Sequence, residues 1–182
     1  MKTAAMLGAI ALQGSTDTIP SFAQVLALVA GRVPLLVELK DQSRTMSATD
    51  GRLESATAAA LRGYRGPVAL MSFNPHAVAH LARLAPDFSR GLTTSSYDPE
   101  DWQPLPAATC ARLREIPDYD RTLSSFISHE AADLPLRPRV TELKAQGAKI
   151  LCWTIRSPAA EAKARRIAHN ITFESYPAAF PA

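Results

Sequence analysis

Val33-Pro34-Leu35-Leu36-Val37-Glu38-Leu39-Lys40 is an apolar run that ends in a carboxylate and an ammonium two residues apart. It reads as one buried strand. Side chains alternate faces along a strand, so Glu38 and Lys40 point the same way at its C-terminal end. Glu and Lys are rarely buried unless paired or coordinating a metal, which makes the pair a candidate for chemistry. The plainer reading is a strand end that reaches water with its charges solvated.

The flanking segments alternate between helical and strand character. Before the run, Phe22, Val25, Leu26 and Val29 recur at helical spacing. Asp17-Thr18-Ile19-Pro20 reads as a polar cap with a proline in the first turn, and Gly31 closes the helix. After it, a polar stretch over 41–50 leads to a helix over 51–62. Pro67 to Phe73 is a second apolar strand, and Asn74-Pro75 then caps and opens a helix with Val78, Leu81 and Leu84 inward. A short third strand is expected over 89–93. An elaborated loop with a short helix near 107–115 fills 94–121. Further strands follow at 124–128, 149–155 and 170–174, with helices over 138–147 and 159–168. In the last helix Ser157 is the cap, and Glu161 and Arg165 stand at i,i+4.

This succession predicts one α/β domain over 1–182, built on a parallel sheet. Six strands fall short of the eight that close a (β/α)8 barrel, so the expectation is an incomplete barrel of the TIM type. In such barrels function sits at the C-terminal strand ends, where Glu38, Lys40, Phe73 and Trp153 fall.

Composition narrows the classes. The 182 residues are 47% hydrophobic and 20% charged, enough for one substantial core. The net charge of +3 is spread without a basic block, which argues against nucleic acid. Cys110 and Cys152 form neither a CxxC nor a zinc-ligand spacing. Ala4 to Leu12 after Lys2 has a superficial signal-peptide look, but Gly8 and Gln13 keep it modest, no cleavage site follows, and it is too short to span a bilayer. The expectation is a cytoplasmic protein. No glycine-rich phosphate loop or GxSxG elbow occurs, and Ser72, lacking a readable base, is a strand-end hydrogen-bonding or packing residue. Trp153 in a strand is ordinarily core. Cys152 faces away from it, toward the covering helices.

Leu35-Leu36-Val37-Glu38-Leu39-Lys40, Met71-Ser72-Phe73-Asn74-Pro75, Cys152-Trp153-Thr154-Ile155-Arg156 and Ile171-Thr172-Phe173-Glu174, in this order and spacing, resemble the later part of the glycerophosphodiester phosphodiesterase family. The resemblance implies a barrel that hydrolyses glycerophosphodiesters to glycerol 3-phosphate and an alcohol with a divalent metal, Mg2+ or Ca2+. It implies Glu38 as a metal ligand, Lys40 as the catalytic cation beside the phosphate, and Trp153 as a substrate-binding wall at the mouth. The His-Arg-Gly, Glu-x-Asp and His-Asp segments that open such proteins do not occur here. His76 and His80 stand four apart on a helix face, and His129 follows a strand within approach of the strand ends. The expectation is a chain truncated at its N-terminus whose hydrolysis is absent or impaired. The alternative is a non-catalytic barrel remnant that binds a phosphorylated ligand or a partner chain, with self-association through open sheet edges.

Overall fold

A computed structural model of the chain describes residues 3–178. In chain order its elements are α1 (Ala4–Gly8), α2 (Phe22–Val29), β1 (Leu35–Glu38), α3 (Arg52–Leu61), β2 (Val68–Ser72), α4 (Pro75–Leu84) and β3 (Ser89–Thr94). There follow α5 (Ala107–Arg114), β4 (Phe126–Glu130), α6 (Pro138–Ala145), β5 (Lys149–Ile155), α7 (Pro158–Ala164) and β6 (Asn170–Phe173). The strands form one parallel sheet ordered β1-β2-β3-β4-β5-β6.

Strand alternation sorts the side chains onto two unlike faces. Outward, Leu35, Val37, Leu39 and Leu70 pack with Leu26, Leu61 and Leu81 of the helices. Leu92, Ile127, Ile150, Cys152 and Ile155 do the same with Val78, Val140, Leu143 and Ala164. Each fully buried aliphatic side chain contributes about 1.5–3 kcal/mol, so the helix-covered face carries the core. Inward, Leu36, Glu38, Ala69 and Met71 near one edge and Leu151, Asn170 and Thr172 near the other line a single cleft of about 780 Å³. Both edge strands meet in that cleft because the sheet curls into a half-barrel. Gly91 is also inward, and its missing side chain leaves room for the Phe126 ring on the paired strand.

Local chemistry sets the boundaries. Asn74 and Ser157 accept from His76 and Ala160 N–H respectively, and Pro75 and Pro158 open the helices they cap. Helix α2 departs from the expected start. Ser21 is its N-cap, because its hydroxyl accepts from Gln24 N–H while Gln24 Oε1 accepts from Ser21 N–H. This capping box places Pro20 before the helix. Strand β1 is shorter than the apolar run, covering 35–38, since Pro34 has no N–H to give the ladder. Strand β4 lies two residues beyond the expected span. The segment after β3 carries a small core of its own, with Tyr97, Leu105, Cys110 and Leu113 packed against Met46, Phe73 and Trp102.

His129, which the sequence allowed near the strand ends, does not approach the site. It lies on the outward face, fully buried. Nε2 is 3.0 Å from Asp133 Oδ2, and Nδ1 is 2.8 Å from Thr94 Oγ1. With Arg137 Nε donating to Asp133 Oδ2 at 3.0 Å, Nε2–H donates to the carboxylate and Nδ1 accepts from the Thr94 hydroxyl. Burial holds the imidazole below its ordinary value, against the pull of Asp133, so the folded ring is neutral. The unfolded chain takes up this proton near pH 6.5, so the contribution is complete above that pH and is lost as the pH falls toward the lower folded value. The melting temperature of the wild-type chain is therefore expected to drop more between pH 7 and pH 5.5 than that of His129→Gln. Equal drops would refute the assignment.

Candidate active site

The C-terminal end of β1 is fixed from below and from the side. Ser72 Oγ donates to Leu39 O at 2.6 Å, and Asn74 Nδ2 donates to Asp41 Oδ1 and to Ser47 O, each at 2.8 Å. Burial would raise the Asp41 carboxyl. Hydrogen bonds from Asn74, Ser43 and the Met46 and Ser43 N–H groups outweigh it and hold the carboxyl below its usual range. This clamp ties the loop after β1 to the start of α4. Ser72 is thus a hydrogen-bonding residue of the strand end.

Glu38 and Lys40 project to the same face at the clamped end, as alternation requires, and Glu38 lines the cleft. The Lys40 ammonium is 2.8 Å from Glu38 Oε1. That oxygen is buried and no donor is aligned on it, so the contact is an ion pair without a formed hydrogen bond. The Glu38 side chain is 20% exposed and that of Lys40 73%, so the carboxylate lies in the wall while the ammonium stands in the mouth.

At the C-terminal ends of the neighbouring strands stands an aromatic wall. The Phe73 ring meets Trp153 edge-on at 5.5 Å and Trp102 at 5.0 Å, and Tyr97 lies 4.7 Å from Trp102. Trp153 Nε1 donates to Ser128 O at 3.0 Å, which fixes the indole against β4. Trp153 is only partly buried, so it faces the mouth and Cys152 faces the helices. The elaborated loop supplies Tyr97 and Trp102, its contribution to the site.

One site residue escaped the sequence reading. Glu130 ends β4 on the inner face, level with Trp153 of β5. Its Oε2 accepts from Ser95 Oγ at 2.7 Å, Ser96 N–H at 3.0 Å and Ser96 Oγ at 2.9 Å. Burial raises this carboxyl, and the Ser96 N–H and the two serine hydroxyls more than offset it, so Glu130 is ionised. The signal was present: once Ile127 is placed in the core, residues 128 and 130 share the opposite face. Ending the strand at Ser128 hid it.

Other candidates lie elsewhere. His76 and His80 are on α4, in the outer layer. Arg156 pairs with Glu174 at 2.6 Å, both well exposed, and so meets a carboxylate. Among the described residues no three His, Cys, Asp or Glu side chains converge as a metal site.

A parallel half-barrel with a charged pair and an aromatic wall at its C-terminal strand ends defines the class of barrel proteins whose sites are built on those ends. A sequence profile of the glycerophosphoryl diester phosphodiesterase family matches residues 3–171, and the chain belongs to that family. Solved structures share the fold. A proposed glycerophosphodiester phosphodiesterase from Galdieria sulphuraria is 18% identical with a TM-score of 0.70, over 95% of this chain and 66% of that one. A glycerophosphodiester phosphodiesterase from Parabacteroides distasonis is 18% identical with a TM-score of 0.66, over 94% and 66%. A phosphodiesterase from Oleispira antarctica, solved in complex with the product sn-glycerol-3-phosphate, is 21% identical with a TM-score of 0.60, over 87% and 58%. The chain thus spans 58–66% of the length of these structures. No curated protein sequence matches it. No helix among the described residues is long and apolar enough to cross a membrane.

Proposed function

We propose that this chain carries the phosphate and alcohol side of a site that cleaves glycerophosphodiesters to glycerol 3-phosphate and an alcohol. The observation that carries the reading is the Lys40 ammonium beside Glu38 at the inner strand ends, the same ends that carry the Phe73–Trp153 pair. Lys40 binds the phosphate and stabilises charge on its oxygens. Trp153 packs against the glycerol or alcohol moiety, and Glu38 offers one oxygen to a divalent cation, Mg2+ or Ca2+. The product bound to the Oleispira relative supports this choice of ligand. A cytoplasmic setting belongs to the same proposal, supported by two buried free cysteines.

These residues do not by themselves fit the cation. A hard divalent ion takes six or more oxygen ligands, whereas Glu38 offers one carboxylate already occupied by an ammonium. Nor do they supply the general acid and base that phosphodiester cleavage requires, since His76 and His80 lie in the outer layer, His129 on the outward face, and His169 at the N-terminal end of β6, where its Nδ1 accepts from Ile150 N–H. Residues 1–182 alone are therefore expected to bind glycerol 3-phosphate but to hydrolyse glycerophosphocholine hardly at all. Calorimetry with Mg2+ and Ca2+ should show no micromolar site. Metal-dependent release of glycerol 3-phosphate at ordinary enzyme rates, on the order of 1–1000 per second, would overturn the reading.

A second reading rests on the edges. Among the described residues β1 and β6 each pair on one side only, and Leu36 and Phe173 within them are exposed. Such edges favour association with another chain, and a dimer in light scattering of the same preparation would favour a non-catalytic binding role.

A further inference from the structure

We propose that Glu130, with the faces of Trp153, Phe73 and Trp102, is the subsite for the alcohol moiety and selects alcohols that carry an ammonium group over neutral ones. This rests on the phosphodiesterase reading and adds to it a substrate class and the residue that chooses it.

Glu130 is held as a fixed anion. Its three donors all come from the 95–96 segment and all engage Oε2. Arg114 holds that segment in turn, donating from Nε to Ser96 O at 2.6 Å and from Nη2 to Tyr97 O at 3.0 Å. Among the described residues no Lys, Arg or His forms an ion pair with Glu130. An anchored carboxylate without a counter-ion, level with the partly exposed Trp153 on the paired strand, has the chemistry that recognises an ammonium group: Coulomb attraction on one side and the ring quadrupole on the other. A hard metal ion fits less well, since one oxygen already accepts three hydrogen bonds and no second carboxylate converges.

The placement suits a zwitterion. Lys40 follows β1 and Glu130 ends β4, three strand intervals away, which is about 14 Å along the sheet at ~4.8 Å per strand. The curl shortens that path, and the two side chains reach inward from its ends. A diester whose phosphate lies by Lys40 and whose ammonium lies by Glu130 would span the mouth along the aromatic wall. A neutral alcohol would use the wall alone and leave the Glu130 charge facing an apolar group, which disfavours it.

The test compares choline with 3,3-dimethyl-1-butanol, its uncharged carbon isostere, by following the Trp153 indole N–H resonance of the full 182-residue chain during titration. The expected result is choline binding about tenfold tighter than the isostere, with Glu130→Gln removing that preference. Equal affinities, no choline binding, or a preference that survives in Glu130→Gln would overturn the proposal. The wild-type comparison needs no variant and so does not depend on how Glu130→Gln folds. Glycerol 3-phosphate is titrated in parallel: its binding without choline selectivity defeats only the subsite, and choline selectivity without its binding defeats only the phosphodiesterase reading.

Discussion

Gly91→Ala is expected to destabilise the chain by about 3 kcal/mol, at the upper end of overpacking effects. A Cβ at this position would stand 2.5 Å from Phe126 Cε2 and 2.5 Å from the Phe126 carbonyl oxygen. The ring could turn. The carbonyl could not, because it belongs to the strand paired with Gly91. Such a loss is a large share of the roughly 5–15 kcal/mol of a typical domain. Urea unfolding should show a lower midpoint at unchanged slope, and Gly91→Ala with Phe126→Leu should recover the ring's part of the loss. A change within about 0.5 kcal/mol would mean that the inner face is looser than the contacts imply. Phe126 lies two residues before Ser128 and four before Glu130 on the same face, so strain there should also reach the Trp153 indole.

The second large effect concerns the charged pair. Lys40→Met is expected to weaken glycerol 3-phosphate binding about tenfold, the lower end for a charge-assisted hydrogen bond, since the ammonium is mostly exposed. Glu38→Gln should act in the opposite direction. It removes the carboxylate that occupies the ammonium, leaving Lys40 free for phosphate, and binding should tighten roughly twofold to fivefold in metal-free buffer. Calorimetry at low and moderate salt checks both, and the effects should shrink with ionic strength. If Lys40→Met bound as well as wild type, the phosphate would have to sit elsewhere on the strand ends. Opposite signs for the two substitutions are the signature of the pair, whereas a merely structural ion pair would lose affinity in both.

The sheet and its helices were legible because apolar runs and capping residues are local signals. Leu35 to Leu39, Val68 to Ser72 and Lys149 to Ile155 announce strands, and Asn74-Pro75 and Ser157-Pro158 announce helix starts. Glu38 and Lys40 were legible for the same reason, since their common face follows from alternation alone. Glu130 and His129 were not. Their membership of the strand depends on where β4 ends, and a two-residue error in that boundary leaves a terminal residue off the strand altogether. The aromatic wall was half legible: Phe73 and Trp153 lie at strand ends, but Tyr97 and Trp102 reach the mouth through an irregular segment whose path no periodicity encodes.

The strictly sequential strand order has a consequence for the site. Among the described residues each strand is hydrogen-bonded only to its neighbours in the chain, so cooperativity passes from unit to unit, as in stacked repeats, and weakens toward the ends. The central strands β3 and β4 are held on both sides and should open only with global unfolding, while β1 can peel away alone. The anchored carboxylate of Glu130 therefore rides on the central part of the sheet and the Lys40–Glu38 pair on one of its two edges. Half of the mouth is a rigid template, and the other half is free to take its final position around a ligand.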